Sequence, residues 1–169
     1  MESTVIPIGY AEHDPPPDLA GYVVCFWTAL EPSSPDAAPR RVLPDGCVDI
    51  IFEFGPNGGL TDAFVVGAMT KPIVINGPAP HLYIAVRFRP GFAFAAFGIP
   101  ASELTDERLG FEFVSRDGGR ELAHLATQPS NEARLAATVE LVRRRLFGAH
   151  GSPVVPRSVR AAVQRIVGA

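Results

Sequence analysis

The chain has 169 residues, of which 47% are hydrophobic and 20% charged, and its formal net charge is -3 at pH 7. This length and apolar content predict one compact domain with a substantial core. A signal peptide and a membrane span are not indicated, and two cysteines without a CxxC spacing favour a reduced, cytoplasmic protein.

Residues 1–20 are polar and rich in proline, which predicts an extended N-terminal arm. The next segment, Tyr22 to Leu30, is typical of a strand. Alternation would place Tyr22, Val24 and Phe26 on one side of it and Val23, Cys25 and Trp27 on the other.

The clearest strand is Cys47 to Phe54, which follows a Pro44-Asp45-Gly46 turn. Its apolar face holds Val48, Ile50, Phe52 and Phe54, and Asp49 and Glu53 are expected opposite, facing solvent. Gly55 to Gly59 indicates a hairpin turn, after which further short strands are predicted at Ala63–Met69, Pro72–Ile75 and His81–Arg89. This spacing of short strands predicts a small β-barrel or sandwich.

The segment Arg87 to Asp106 joins the last strand to a helical layer. Leu82, Ile84, Val86 and Phe88 share one face of that strand, and Pro90-Gly91 ends it. Residues 92–97 predict a short buried helix closed by Gly98. Pro100 then opens a second helical turn that Ser102 and Asp106 can cap.

Helices are predicted at Arg116–Thr127 and from Ser130 or Asn131 to Phe147. Leu135, Val139, Val142 and Leu146 form one stripe of the longer helix, which could cover the barrel or form a homodimer interface with Arg143 to Arg145 as its solvated rim. Residues 150–156 are expected to be a linker to a basic helix, Arg157–Val167. Because the part of the chain before Asn131 is acidic, it is a poor surface for nucleic acid.

No arrangement of residues indicates catalysis or a metal site. His13, His81, His124 and His150 are isolated in the sequence, and neither cysteine has an obvious histidine partner. We therefore predict no catalytic residue, no metal and no cofactor.

A ligand site is the more interesting possibility on the mixed face of the last strand. Trp27, Tyr83, Arg87 and Arg89 could line a cavity, with an arginine binding a carboxylate or phosphate. The alternative, which we favour, is that Arg87 pairs with Asp49 or Glu53 across adjacent strands and that Trp27 lies in the core.

Three motifs, RVLPDGCVDII at Arg41–Ile51, Gly67 within VVGAMTKP, and RFRPGFAFAAFGIPASELTD at Arg87–Asp106, occur in this order. Together they resemble the N-terminal domain of a subfamily of AraC-type bacterial transcription regulators. The sequence departs from that pattern at Phe92, where the family has a second glycine, and at Ala96-Phe97, where leucines are usual.

The resemblance implies an α+β fold, a small cupin-like β-barrel or sandwich followed by C-terminal helices. Its implied organisation is an arm at 1–20, a sensor domain at 21–149, and at 150–169 a linker and helix leading to a helix-turn-helix domain outside this sequence. Such a domain binds a small effector, mediates homodimerisation, or does both, and DNA is contacted only by the further domain. The alternatives are a free-standing cupin-like metal-dependent enzyme and a dimerisation module without a ligand.

Overall fold

The computed structural model describes residues 8–30, 40–75 and 82–148. The strands in these ranges are β1 (Gly9–His13), β2 (Val23–Leu30), β3 (Arg40–Val42), β4 (Val48–Phe54), β5 (Leu60–Val66), β6 (Ile73–Ile75), β7 (Leu82–Phe88) and β8 (Arg108–Gly110). The helices are α1 (Ala93–Phe97), α2 (Ala101–Leu104), α3 (Phe111–Val114), α4 (Gly118–Ala126) and α5 (Asn131–Phe147). The predicted linker and basic helix at 150–169 lie outside the described residues, as does His81 at the start of the predicted strand His81–Arg89.

The main sheet has six strands in the order β1-β2-β7-β4-β5-β8, and every neighbouring pair is antiparallel. A separate ribbon is formed by β3 and β6, so β6 pairs outside the main sheet. The protein is therefore α+β, with an antiparallel sheet followed by helices. This confirms the predicted α+β class and the predicted C-terminal helices.

One face of the main sheet forms the core. The alternation predicted for β4 is confirmed, because Val48, Ile50, Phe52 and Phe54 are all buried. The corresponding residues of β7 are buried beside them, and the helices pack over this face. Phe52 and Phe88 contact the aromatic residues Phe111 and Phe97 edge-on, which joins sheet and helices.

The predicted faces of the strand at Tyr22–Leu30 are wrong because a bulge interrupts the pairing of β2 with β7. Val23 lies opposite Phe88 and Cys25 opposite Arg87, so Val24 is the additional residue. The bulge reverses the alternation. As a result Val23 and Phe26 are both in the core, and Val24 is exposed.

The predicted short helix and its stop are confirmed in α1. Gly98 adopts a left-handed conformation (φ 71°), and its N–H donates to the carbonyl of Phe94. The predicted caps of the following turn are wrong. Pro100 precedes α2 without a side-chain cap, and Asp106 binds Thr70 instead of α2.

Two distant loops meet where Gly67 passes Leu104. The Gly67 N–H donates to the Glu107 carbonyl, and the Asp106 N–H donates to the carbonyl of Ala68, each over 3.0 Å. Asp106 has a positive φ of 59°, which aspartate tolerates better than most residues, and its carboxylate accepts from the Thr70 N–H and hydroxyl at 2.6 Å each. These bonds fix the loop after β5 against the loop after α2.

Residues 8–20, which we expected to belong to an extended arm, are part of the domain. Strand β1 pairs with β2 at the edge of the main sheet. Leu19 is fully buried in the core, and Asp18 accepts from Arg143 of α5. The N-terminal segment thereby connects the sheet to the last helix.

Helix α5 begins where the sequence indicates. The Ser130 hydroxyl accepts from the N–H of Ala133, which is the predicted N-cap. Arg145, expected on a solvated rim, is instead partly buried and donates to Glu121 of α4 and to Ser115. Within the described part of the chain, no helix is both long enough and apolar enough to cross a membrane.

His13 at the end of β1 provides a prediction about pH. Its Nε2 lies 3.0 Å from the hydroxyl of Thr28, whose side chain is fully buried. Burial lowers the pKa of His13 below the ordinary 6.5. Because the unfolded chain takes up the proton first, the contribution of His13 to stability is complete above the unfolded pKa and is lost as pH falls through the folded pKa.

We expect the urea concentration at the unfolding midpoint of the wild type to decrease when the pH is lowered from 7 to 5. The decrease should be smaller in His13→Gln. His124→Gln, a change at an exposed position on α4, should keep the wild-type dependence. If the midpoints of the wild type and His13→Gln decreased equally with pH, His13 would not be the source of the pH dependence.

Candidate functional site

The main sheet presents its second face away from the core, and we call this the polar face. The register places Glu12, Trp27, Ala85 and Ile51 in one row across β1, β2, β7 and β4. The adjacent row contains Cys25, Arg87 and Asp49. Side chains of both rows point to the same side because alternate residues of a strand share a face.

Arg87 and Asp49 form a two-pronged ion pair on this face. Arg87 Nε donates to Asp49 Oδ1 and Arg87 Nη2 donates to Asp49 Oδ2, each over 3.1 Å. Trp27 Nε1 donates to the same Oδ2 over 3.0 Å. The favoured cross-strand pairing of Arg87 with Asp49 is thus confirmed, whereas Asp49 does not face open solvent, since 14% of its side chain is exposed.

Two more carboxylates surround the same guanidinium group. Asp45 Oδ2 lies 3.3 Å from Arg87 Nε, and Glu12 Oε1 lies 3.9 Å from Arg87 Nη1. Tyr10 donates its hydroxyl proton to Glu12 over 2.6 Å. Arg87 is therefore already surrounded by acidic groups and is poorly placed to bind an anion.

Aromatic rings lie beside this charged cluster. The ring centroid of Trp27 is 5.8 Å from that of Tyr10 and 6.3 Å from that of Tyr83. Trp27 is not among the buried residues of the core, so the expectation that it lies there is wrong. The structure does bring Trp27, Tyr83 and Arg87 together on one face.

Arg89 makes a different contact from the other three predicted ligand residues. Its Nε donates to the Ala20 carbonyl, and its backbone N–H donates to the Tyr22 carbonyl, each over 2.9 Å. The two hydrogen bonds hold the segment before β2 against the end of β7. The strand ends at Phe88, so alternation no longer determines where the side chain of Arg89 points.

A family model described as a domain of unknown function, DUF6597, matches residues 11–110. The match covers more than half of the chain and extends from within β1 to the end of β8. The chain belongs to the DUF6597 family. Searches of curated proteins and of solved structures found no match.

We call Arg87 and the residues around it, Tyr10, Glu12, Trp27, Asp45 and Asp49, the Arg87 cluster. The cluster lies inside the DUF6597 domain, apart from Tyr10 immediately before the matched range. Burial raises the pKa of Asp49, and the hydrogen bonds from Arg87 and Trp27 oppose that shift. Burial acts to lower the pKa of Arg87, but hydrogen bonding and charge from Asp49 outweigh it, so the pKa of Arg87 is raised. The two parallel hydrogen bonds from Arg87 to Asp49 have the geometry of a charge-assisted ion pair.

The two cysteines of the DUF6597 domain are unsuited to nucleophilic chemistry. Burial raises the pKa of both Cys25 and Cys47 to about 11, which keeps them as thiols at neutral pH. Among residues 8–30, 40–75 and 82–148, no group of three or more His, Cys, Asp or Glu side chains could hold a metal ion.

Tyr10, Glu12 and Asp45 also belong to this site, and they are not among the predicted ligand residues. A signal for the first two exists, because Tyr10 and Glu12 alternate with small residues in GYAEH. Asp45 belongs to the predicted Pro44-Asp45-Gly46 turn, and its carboxylate accepts from the N–H of Cys47. Its second contact, with Arg87, depends on long-range pairing.

The residues of the predicted dimer interface belong to α5. Leu135, Val142 and Leu146 are buried in the core of the domain, and Val139 packs against it partly buried. The stripe therefore covers the sheet, which is the first of the two alternatives predicted for it. A dimer formed through them stays a prediction, and it would require α5 to leave the sheet.

Proposed function

We propose that this chain is the regulatory N-terminal domain of an AraC-type transcription regulator and that its polar face binds a small effector. The observation that carries the proposal is the Arg87 cluster, in which charged groups and aromatic rings share a sheet face that the helices do not use. Partly buried ionisable groups with a specific charge partner are characteristic of functional sites.

The contact between Gly67 and Leu104 gives further support. Gly67 belongs to VVGAMTKP, and Leu104 to Asp106 belong to the ELTD part of the third motif. Asp106 also binds Thr70 within the first of these two motifs. Two of the three motifs that carry the resemblance are thus joined to one another, as expected if they maintain a shared scaffold.

The proposal includes the finer features that the resemblance implies. The fold is cupin-like, with the β3–β6 ribbon as the beginning of a second layer. The protein is cytoplasmic, forms a homodimer, uses no cofactor and catalyses no reaction. DNA is bound by helix-turn-helix units outside this sequence, and effector binding alters how the C-terminal helices present them.

A thermal-shift screen of metabolites against the wild type and Arg87→Met/Asp49→Asn tests the site. This double variant removes both charges and keeps a side-chain oxygen for the Trp27 N–H. An effector should raise the melting temperature of the wild type and have little effect on the variant. Equal stabilisation of both proteins would exclude the polar face as the site.

A second measurement separates the alternatives. Sedimentation that finds a dimer, combined with a screen that finds no stabilising compound, would favour a dimerisation module without a ligand. A stoichiometric metal in the purified protein, together with turnover, would favour a cupin-like enzyme. Two helix-turn-helix units encoded downstream of Ala169 would support the regulator.

A further inference from the structure

We propose that the β3–β6 ribbon is a homodimer interface in which β6 pairs antiparallel with β6 of a second copy. The inference rests on the homodimer that the proposed function includes, and it locates the interface on the ribbon rather than on α5. The apolar stripe of α5 covers the core, whereas the ribbon keeps its apolar side chains exposed to solvent.

Exposed apolar residues are concentrated on this ribbon. Ile73, Val74 and Ile75, which make up β6, are between 39% and 56% exposed, and Leu43 beside the end of β3 is 61% exposed. Because alternate residues of a strand point to opposite faces, β6 is uncovered on both faces. The two strands make their main packing contact with each other rather than with the main sheet. A contiguous apolar surface of this kind is typical of an interaction site.

The open edge of β6 is a second feature that favours pairing with another strand. Within the described residues β6 pairs with β3 alone, so its other edge presents backbone N–H and C=O groups to a further strand. A ribbon of two strands is marginally stable in water, and three or more strands with an apolar face are needed for independent stability. Two copies would form a four-stranded sheet in the order β3-β6-β6-β3, with Ile73 and Ile75 of both copies on one face.

The sequence of β6 indicates that the added strand is a second copy. Ile73-Val74-Ile75 reads the same in both directions. In an antiparallel pair of β6 strands, Ile73 therefore lies opposite Ile75 of the second copy, and Val74 lies opposite itself on the two-fold axis. This is the self-complementary arrangement that a symmetric dimer requires.

The basic residue of the ribbon does not oppose this pairing. Arg41 of β3 lies beside Val74 in the register. The two Arg41 residues of a dimer would thus be three strand spacings apart, about 14 Å. This separation exceeds the screening length of about 8 Å at physiological ionic strength, so their repulsion is small.

The interface is small, which sets the expected strength of the dimer. Three residues from each strand bury much less area than the standard interface of about 1,600 Å². We therefore expect a weak dimer that forms at high protein concentration. Sedimentation equilibrium of the 169-residue chain, over a concentration series that reaches millimolar protein, should show the mass rising from monomer towards dimer.

Val74→Lys should raise the Kd of the dimer about tenfold, because two ammonium groups would meet directly opposite each other. The substitution is at an exposed position, so the fold should tolerate it. Phe113→Lys is the matched control, since Phe113 is also an exposed apolar residue but lies on α3. The control should dimerise as the wild type does.

Cysteine substitutions test the register of the pair. Residues opposite each other in an antiparallel pair have Cα atoms about 4.5–5.5 Å apart, which a disulfide can span. Val74→Cys should therefore form a covalent dimer under mild oxidation, seen on a gel and removed by dithiothreitol. Ile73→Cys should not do so alone, because the two Ile73 positions are diagonal neighbours about 7–8 Å apart. Mixing Ile73→Cys with Ile75→Cys should restore the bridge, and the wild type gives the background of the native cysteines.

The possible failures are distinct. A monomer at every concentration, with no bridge in Val74→Cys, would overturn the inference and the homodimer, and the metabolite screen would judge effector sensing separately. A dimer that Val74→Lys does not weaken would place the interface elsewhere and leave the homodimer of the proposed function standing. Bridging of Ile73→Cys alone as readily as Val74→Cys would contradict the two-fold pairing of β6.

Discussion

Gly67→Ala is expected to cause the largest loss of stability of any glycine-to-alanine substitution in the described part of the chain. A Cβ atom built on Gly67 would lie 1.4 Å from the carbonyl oxygen of Leu104 and 2.3 Å from its carbon. The obstacle is backbone, so no side-chain rotation relieves it. The hydrogen bonds from Gly67 to Glu107 and from Asp106 to Ala68 also prevent the two loops from separating.

We expect the free energy of unfolding to fall by about 4 kcal/mol or more, which is at the upper end of single-residue effects. The measurement is a urea unfolding curve, with the yield of soluble protein as a second readout if the variant does not fold. Gly119→Ala is the control, because its Cβ would meet nothing within 4 Å and the residue lies in α4. Alanine there should be neutral or stabilising by up to ~1 kcal/mol. A Gly67→Ala curve close to the wild type would contradict the close approach.

The sequence could predict the elements whose signals are local. Strand β4 alternates without interruption, and α5 has a Ser130 cap and a continuous apolar stripe. In both cases the period of the apolar residues matches the geometry of the element itself. Gly98 ends α1 for an equally local reason, since it adopts the left-handed conformation that favours glycine.

The remaining features depend on pairing between distant segments. The bulge at Val24 is not visible in its own strand, since it arises from the register with Phe88 and Arg87 of β7. One additional residue inverts the alternation and changes which side chains share a face. The incorrect faces predicted for Tyr22–Leu30 have this single cause.

The candidate site was predictable only in part for the same reason. Trp27, Tyr83 and Arg87 lie on strands that the sequence identifies, and they meet as predicted. Glu12 joins them because β1 pairs with β2, and nothing local to residues 1–20 indicates that partner. One of the three carboxylates around Arg87 therefore comes from a segment whose position only the tertiary structure determines.

Removing Arg87 alone is expected to have the second-largest effect. In Arg87→Ala the carboxylate of Asp49, 14% exposed, would keep the Trp27 N–H but lose both charge-assisted hydrogen bonds. Loss of one partner of a buried ion pair typically costs 3–5 kcal/mol because a charge is left uncompensated. Arg87 is itself 24% exposed and water can replace it in part, so we expect a loss of about 3 kcal/mol.

Arg120→Ala is the matched control for this substitution. Arg120 also pairs with an aspartate, Asp117, but at 3.8 Å and with both side chains largely exposed. Such surface pairs contribute little, so the control should change the free energy of unfolding by less than about 1 kcal/mol. Urea curves at pH 7 compare the two variants with the wild type.

The double variant Arg87→Met/Asp49→Asn distinguishes two causes of the stability loss in Arg87→Ala. One is the loss of the attraction between the two side chains, and the other is the uncompensated charge left on Asp49. If the cost of Arg87→Ala comes from the uncompensated carboxylate, neutralising Asp49 as well should recover most of the stability, because buried ion pairs replaced by neutral groups are often close to neutral. A double variant no more stable than Arg87→Ala would instead mean that the pair itself holds β4 against β7. Recovery of stability would imply that these strands do not need the charges to fold, which is the condition expected of an ion pair maintained for binding.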